Sequence, residues 1–206
     1  MAEPGLRERK KQQTRQRIVA AAIGLFADRG FDHVPVAEVA RAAEVSEATV
    51  FNYFPSKEDL VYEGMDEFED RLLTAVRERA AGTPVLAAFR DVLLQPAGSL
   101  ANGDPTATAR IATVARIIAD SPTLQARELR SYNRHTTALA EAIGNGTTTA
   151  WVVANALMGV NRAMKDAVHR GALAGRDGAQ ITRDVVAQAR AAFELLELGL
   201  GGYGGT

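Results

Sequence analysis

The 206-residue sequence predicts an all-α protein of about nine helices, an expectation carried by three observations. Apolar residues recur at three- and four-residue spacing almost throughout, while the period-two alternation of strands is nearly absent. Ala, Leu, Val, Arg and Glu are used heavily, which favours helix over sheet. Gly, Pro and Asn gather in short stretches between the periodic segments, as they do in helix connections.

Taken in order, the first helix gathers Ile18, Ala21, Ala22, Leu25 and Phe26 from Thr14 onward. Gly30 can close it, with Phe31 packing back on its last turn. Two short helices follow, near 36–43 and 46–53. A longer helix is expected from Ser56 to about residue 80, with Ser56 as cap and Glu58 and Asp59 in its first turn. Leu60, Val61, Met65, Phe68, Leu72 and Val76 carry its apolar pattern, and Gly82-Thr83-Pro84 ends it. Further helices are expected near 84–95, 105–119, 122–144, 147–171 and 179–199, separated by loops at 96–105, 144–146 and 171–178. The glycine-rich end reads as a flexible tail. The expected division is 1–56 for an N-terminal arm and three-helix bundle, 57–199 for a helical body and 200–206 for the tail. The helix from Ser56 would be shared between the first two.

Composition narrows the function classes. Hydrophobic residues make up 47% and charged residues 24%, the balance of an ordinary globular protein. No stretch approaches the roughly 18 apolar residues of a membrane span, and no apolar signal core follows the charged start, so a cytoplasmic protein with no membrane partner is expected. Cysteine is absent, which excludes disulfides, thiolate catalysis and thiolate metal sites. Net charge is −1, but residues 1–17 hold six basic groups against two acids, so Lys10, Lys11 and Arg15 could meet phosphate. A solvated helix start explains the same charges.

The most informative stretch is Val36 to Lys57, VAEVARAAEVSEATVFNYFPSK. Val36, Val39, Ala40 and Ala43 fall on one helical face, and Ala40 is small where a second helix would cross closely. Ala43-Glu44-Val45 makes the turn and Ser46 caps the next helix. That helix can bury Val50 and Phe54 and leave Glu47, Ala48, Thr49, Phe51, Asn52 and Tyr53 facing elsewhere. A two-turn helix with exposed Thr, Asn and aromatic residues, docked across another short helix, suits entry into a DNA major groove. Phe54 reads as core, while Tyr53 suits either a phosphate or a helix partner.

These residues resemble the TetR family of transcriptional regulators. The resemblance rests on Gly30-Phe31, Val36-Ala37-Glu38-Val39-Ala40, Val45-Ser46, Thr49-Val50-Phe51-Asn52-Tyr53-Phe54 and Ser56-Lys57-Glu58-Asp59-Leu60. It is strong over residues 14–64 and only architectural beyond. It implies a DNA-binding regulator, a ligand-released repressor that binds a palindromic double-stranded operator as a homodimer. Glu47, Ala48, Thr49 and Phe51 would approach base edges, Asn52 and Tyr53 bases or phosphates, and Lys57 would hold a phosphate at a helix start. The sequence departs from the family pattern at three places. Pro35 removes a cap hydroxyl, Glu44 replaces the usual turn glycine, and Glu47 sets an acid beside a polyanion. Glu47 either accepts from cytosine N4 or points away.

The resemblance also implies a pocket for a small hydrophobic or amphipathic effector in the body, and dimerisation through the helices near 147–171 and 179–199. Candidate pocket residues are Met65, Phe68, Leu72, Phe89, Leu93, Ile111, Val114, Ile118, Tyr132, His135, Trp151, Asn155, Met158 and Arg162. Asn155, Arg162 and His135 would be the most telling if buried, since buried polar groups need partners. Ala154, Ala189 and Ala192 permit close helix crossing. His33, His135 and His169 lack metal-ligand spacing, so neither a metal nor a cofactor is expected. Glu67, Glu69 and Asp70 read as a solvated acidic face that would favour a cation if turned inward. No phosphate loop, nucleophile elbow or paired-carboxylate signature is present, and an enzyme is not expected. The alternatives are an activator of the same fold, or a helical carrier or enzyme that keeps a degenerate DNA-binding head.

Overall fold

A computed structural model describes residues 5–95 and 104–200 of the chain. The described residues form helices α1 (Leu6–Arg29), α2 (Val36–Ala42), α3 (Glu47–Tyr53), α4 (Met65–Arg77), α5 (Val85–Leu93), α6 (Pro105–Ala119), α7 (Pro122–Gly144), α8 (Thr148–Leu173) and α9 (Gly178–Leu200). Single 3-10 turns lie at Phe31–His33 and Glu58–Leu60, and no strand occurs among the described residues. The all-α expectation therefore holds, and α6 and α7 begin where the sequence places them.

Local side chains explain most of the starts. Ser46 and Thr147 cap α3 and α8 by accepting the backbone N–H groups of Thr49 and Ala150. Asp104 takes the Thr106 N–H ahead of Pro105, and Ser121 takes the Leu124 N–H ahead of Pro122. Proline is at home in that first helical position, because its missing N–H would have no partner there. The Asp104 carboxyl is held below its ordinary pKa, chiefly by the Thr106 hydroxyl and backbone N–H.

The residues group into two compact units, one running up to Gly64 and including Thr113–Arg127, the other comprising Met65–Ala112 and the chain from Glu128. This differs from the expected boundary at residue 56, since 57–64 and 113–127 both belong with the N-terminal helices. In the first unit Ile18, Ala22 and Phe26 of α1 are buried at four-residue spacing, and Phe31 folds back so that its ring meets Phe26 edge-on at 5.0 Å. Val39, Ala40, Val50 and Phe54 complete the core beneath α2 and α3. Residues 113–127 are tied into the same unit by three bonds. The Tyr62 hydroxyl donates to the Leu124 carbonyl (2.9 Å), the Ser121 hydroxyl to Asp32 (2.9 Å), and Arg127 to Asp59 (2.8 Å).

The expected continuous helix from Ser56 to residue 80 is corrected. Asp59 accepts the Ser56 N–H at 2.9 Å, but the chain makes only one 3-10 turn before Gly64 adopts φ +77° and α4 starts at Met65. Leu60, Val61 and Tyr62 are all buried, and three consecutive buried residues cannot share one face of a helix. The left-handed glycine lets the chain satisfy them and then restart. No shared helix therefore joins the two parts over 56–80.

In the second unit Leu72, Leu73 and Val76 of α4 pack with Val85, Leu86, Phe89 and Leu93 of α5. Leu139 and Ala140 of α7, four residues of α8 and Phe193 of α9 close this core. α8 and α9 approach closely because Gly171, still helical rather than in the expected loop, offers no Cβ. One built there would lie 2.8 Å from Ile181 Cγ1. Gly199 and Leu200 continue α9 instead of starting a tail. Residues 96–103 of the expected loop and 201–206 of the expected tail lie outside the described residues.

Candidate nucleic-acid interface

α2 ends in a fully satisfied C-terminal motif. The Val45 N–H reaches back to the Ala40 carbonyl (2.9 Å) and the Glu44 N–H to that of Arg41 (3.1 Å). This geometry needs a left-handed residue, and Glu44 supplies it at φ +52°. α8 ends in the same motif with Gly175 at the equivalent place. The turn that aims α3 thus holds a side chain where glycine is the unstrained choice. At the other end of α2, Pro35 occupies the cap position and supplies no side-chain hydrogen bond.

Val45 leads directly into α3. Ser46 Oγ accepts the Thr49 N–H at 3.0 Å and lies 2.8 Å from the Thr49 hydroxyl. Val50 and Phe54, four residues apart, are each 1% exposed and pin α3 to the core. Glu47, Ala48, Phe51 and Asn52 are exposed in consequence, and Thr49 and Tyr53 are half-buried. Phe51 is 46% exposed, an unfavourable place for a benzyl group in water unless something covers it. An amide, a carboxylate and an aromatic ring therefore stand exposed on α3, with the half-buried Thr49 hydroxyl held against Ser46, a set that can address thymine methyls, adenine edges and cytosine amino groups.

The cations divide. Lys10 and Lys11 are exposed near the start of α1. Arg15 instead pairs with Glu63 at 2.7 Å and stacks 4.8 Å above the Phe54 ring. Lys57 also points inward: its ammonium donates to the Phe31 carbonyl (2.6 Å) and sits 4.2 Å over the Phe31 ring. Burial lowers the Lys57 pKa, although Asp32 and Glu58 oppose the shift. Nor does Lys57 open a full helix, as the sequence suggested, because only the 3-10 turn follows it. Two of the expected phosphate contacts thus hold the fold of the unit in this structure.

The effector candidates scatter. Leu72, Phe89 and Met158 are wholly buried in the core of the second unit, Leu93 nearly so, and Met65, Phe68, Ile111 and Tyr132 are half-buried. Val114 and Ile118 belong to the first unit and cannot be grouped with the others. Trp151, Asn155 and Arg162 are exposed on α8. The Asn155 amide donates to the Trp151 carbonyl (2.8 Å), and Arg162 lies 5.4 Å over the Tyr132 ring. Of the three polar candidates only His135 is buried. Burial opposes its imidazolium, but the neighbouring Glu69 carboxylate and the Ser131 carbonyl raise its pKa above the ordinary value.

None of these candidates lines the groove of about 410 Å³ between α8 and α9. Its walls are mostly small or apolar, with Ala156, Gly159, Ala163 and Ala167 facing Ala189, Ala192 and Leu195. The sequence signal was the small-residue spacing along 156–167, which the reading of Ala154, Ala189 and Ala192 touched only in part. No described helix is long and apolar enough to cross a membrane.

Two short helices crossing at a tight turn, the second pinned by Val50 and Phe54 with its polar face free, define a helix-turn-helix protein. Residues 18–63 match the family model described as bacterial regulatory proteins, tetR family. Over these residues the chain is similar to the tetR family of regulators. It is 33% identical over 101 residues to the HTH-type transcriptional regulator TcmR of Streptomyces glaucescens, a match covering 49% of this chain and 45% of that protein. It is 49% identical over 49 residues to the HTH-type transcriptional regulator LuxR of Vibrio harveyi, 24% of each chain. The chain thus spans less than half the length of these two relatives. Among solved structures, a TetR transcriptional regulator from Rhodococcus sp. RHA1 is similar with a TM-score of 0.50 and 21% identity, covering 91% of this chain and 98% of that one. The fatty acid degradation regulator FadR from Bacillus halodurans is similar with a TM-score of 0.52 and 20% identity, covering 97% and 98%. These two likenesses establish a common fold.

Proposed function

We propose that the chain is a DNA-binding transcriptional repressor that reads a palindromic operator as a homodimer and is released by a small hydrophobic or amphipathic effector. The observation that carries this reading is the exposed face of α3, where Glu47, Ala48, Phe51 and Asn52 stand free while Val50 and Phe54 are buried. One such helix from each subunit would enter successive major grooves about 34–36 Å apart. Lys10 and Lys11 would add phosphate contacts, so affinity should fall steeply with salt. The inward placement of Arg15 and Lys57 supports a role for them in holding the unit together ahead of any contact with DNA.

For dimerisation, support comes from α8 and α9. Val152, Leu195 and Leu198 are exposed by 60%, 69% and 87%, beside the small-walled groove. A second copy laid there would cover them in a closed twofold interface. For the effector, support is limited to Phe68 and Tyr132, which pack half-buried against the core of the second unit.

Fluorescence anisotropy on the DNA upstream of the chain's own gene, with excess random DNA as competitor, tests the reading. Competitor-resistant binding is expected from the wild type. Phe51→Ala and Asn52→Ala should each lose roughly 1–3 kcal/mol of discrimination between operator and random DNA. Wild-type discrimination in both variants would refute the assignment of α3 as the reading helix.

A further inference from the structure

α4 and α7 of the second unit bring together a set of side chains that DNA reading does not use. We propose that Asp66, Glu69 and His135 form a binding site for one divalent transition-metal ion, Zn²⁺ being the best chemical fit, which clips α4 to α7. One ligand atom from each of the three lies within 4.8 Å of the others. Asp66 and Glu69 are three residues apart on α4, so their carboxylates share a face of that helix. His135 meets them from α7.

The histidine separates this cluster from an ordinary acidic surface. His135 is 2% exposed, and its Nδ1 is approached by three oxygens. Glu69 Oε2 lies at 2.7 Å, the Ser131 carbonyl at 2.9 Å and Ser131 Oγ at 3.3 Å. Ser131 Oγ in turn lies 3.0 Å from Asp66 and 3.5 Å from Glu69. One carboxylate, a carbonyl and a hydroxyl thus surround the buried imidazole nitrogen, and the same hydroxyl links it to the second carboxylate, Asp66, which Arg134 flanks at 3.5 Å. A divalent ion held by Asp66, Glu69 and His135 would take the place of the proton that Nδ1 shares with Glu69. On the far side of the ring, Asp70 lies 3.5 Å from Nε2. Glu69 and the Ser131 carbonyl hold a proton on Nδ1 in this structure; an ion that displaced it would leave the proton on Nε2, where Asp70 can face it, the arrangement that orients ligating histidines in metal sites.

The ligand chemistry sets the ion. One imidazole and two carboxylates suit a borderline ion such as Zn²⁺ better than Mg²⁺ or Ca²⁺, which favour all-oxygen shells. Bonds of about 2.0–2.2 Å to tetrahedral Zn²⁺ hold neighbouring ligand atoms about 3.3 Å apart, so Glu69 and His135 need open by only about 0.6 Å. Asp66 keeps 34% of its side chain exposed, which leaves an entry path for the ion. With three protein ligands, the fourth position falls to water or to Ser131 Oγ.

The test needs no DNA. The full-length chain is stripped with chelator, dialysed and titrated with Co²⁺, whose visible absorption reports coordination number, and then with Zn²⁺ as competitor. One Co²⁺ per chain is expected, with a tetrahedral or five-coordinate spectrum that Zn²⁺ abolishes. His135→Ala and Glu69→Gln should each weaken binding by more than the about 10–100-fold that loss of an outer-shell partner costs, and Asp70→Asn should fall within that range. Circular dichroism verifies that the variants are folded, and Zn²⁺ should raise the melting temperature of the wild type but not of His135→Ala. His169→Ala, on α8, should bind as the wild type does. Failure of the folded wild type to bind Co²⁺ stoichiometrically would overturn the proposal, as would unchanged binding by His135→Ala.

Discussion

Replacing Gly171 by alanine tests the closeness of α8 and α9. By helix propensity alone, Gly→Ala inside α8 should stabilise by about 1 kcal/mol. The structure predicts the opposite sign. The added Cβ would stand 2.8, 3.0 and 3.3 Å from Cγ1, Cδ1 and Cγ2 of Ile181, itself 1% exposed. Two of those atoms are attached directly to the Ile181 Cβ, so no rotation of the side-chain tip relieves the clash. The backbone is restrained as well, because the Gly171 carbonyl accepts the Arg176 N–H in the motif that ends α8. Overpacking of this kind costs about 1–3 kcal/mol, which leaves a net loss on the order of 1 kcal/mol after the gain in propensity. Urea unfolding should show a lower midpoint at an unchanged slope. Ile181→Ala removes all three clashing atoms, so the alanine at 171 should be less harmful, or stabilising, in that background. The coupling in the double-mutant cycle should be about 1–3 kcal/mol. A stabilising Gly171→Ala in the wild-type background, or additive behaviour with Ile181→Ala, would refute the close crossing.

Three further outcomes are expected. Glu44→Gly should stabilise the first unit by about 1 kcal/mol in urea unfolding, because it relieves a left-handed side chain. A destabilised variant would contradict the strain at that turn. Burial disfavours charge on Asp59, but the hydrogen bonds from Arg127 and Ser56 outweigh it and lower its pKa below the usual carboxylate value. Its stabilising contribution is then fully present above the unfolded-state pKa of about 3.9 and is lost as pH falls through the lower folded-state value. Asp59→Asn should therefore be less stable than the wild type at neutral pH and should show a flatter acid limb; parallel pH–stability curves would count against the pairing. Leu195→Glu, at the groove between α8 and α9, should weaken self-association at least about tenfold (1.4 kcal/mol) in sedimentation. Unchanged association would place the dimer interface elsewhere.

Local chemistry made much of this fold readable. Ser46, Thr147, and the prolines at 105 and 122 mark helix starts with groups that act within three residues, so a short window contains the whole cause. Val39, Ala40, Val50 and Phe54 show which faces of the two short helices are buried, because their spacing repeats the helix period. The break at Gly64 was hidden because the pattern from Ser56 to Val76 is compatible with one helix. What interrupts it is the burial of Leu60 to Tyr62 and the bond from Tyr62 to Leu124, more than 60 residues away. The partners of Arg15 and Lys57 were hidden in the same manner, since Glu63 and Phe31 become their neighbours only in the folded unit. His135 could not be associated with Glu69 by spacing, since the two lie on different helices. Asn155 and Arg162 would have been telling had they been buried, and both are exposed on α8.

Because Thr113–Arg127 belongs to the same compact unit as the helix-turn-helix, that helix-turn-helix is not a detachable cassette. A fragment cut after Gly64 would remove Leu124, Ser121 and Arg127, which bond Tyr62, Asp32 and Asp59, and would strip Arg127 from the face of the Tyr62 ring. Moving this helix-turn-helix into another protein would therefore require two separate inserts, the N-terminal helices and a matching 15-residue stretch from the middle of the chain. A chimera made from the first segment alone would carry the right recognition residues on an unsupported base.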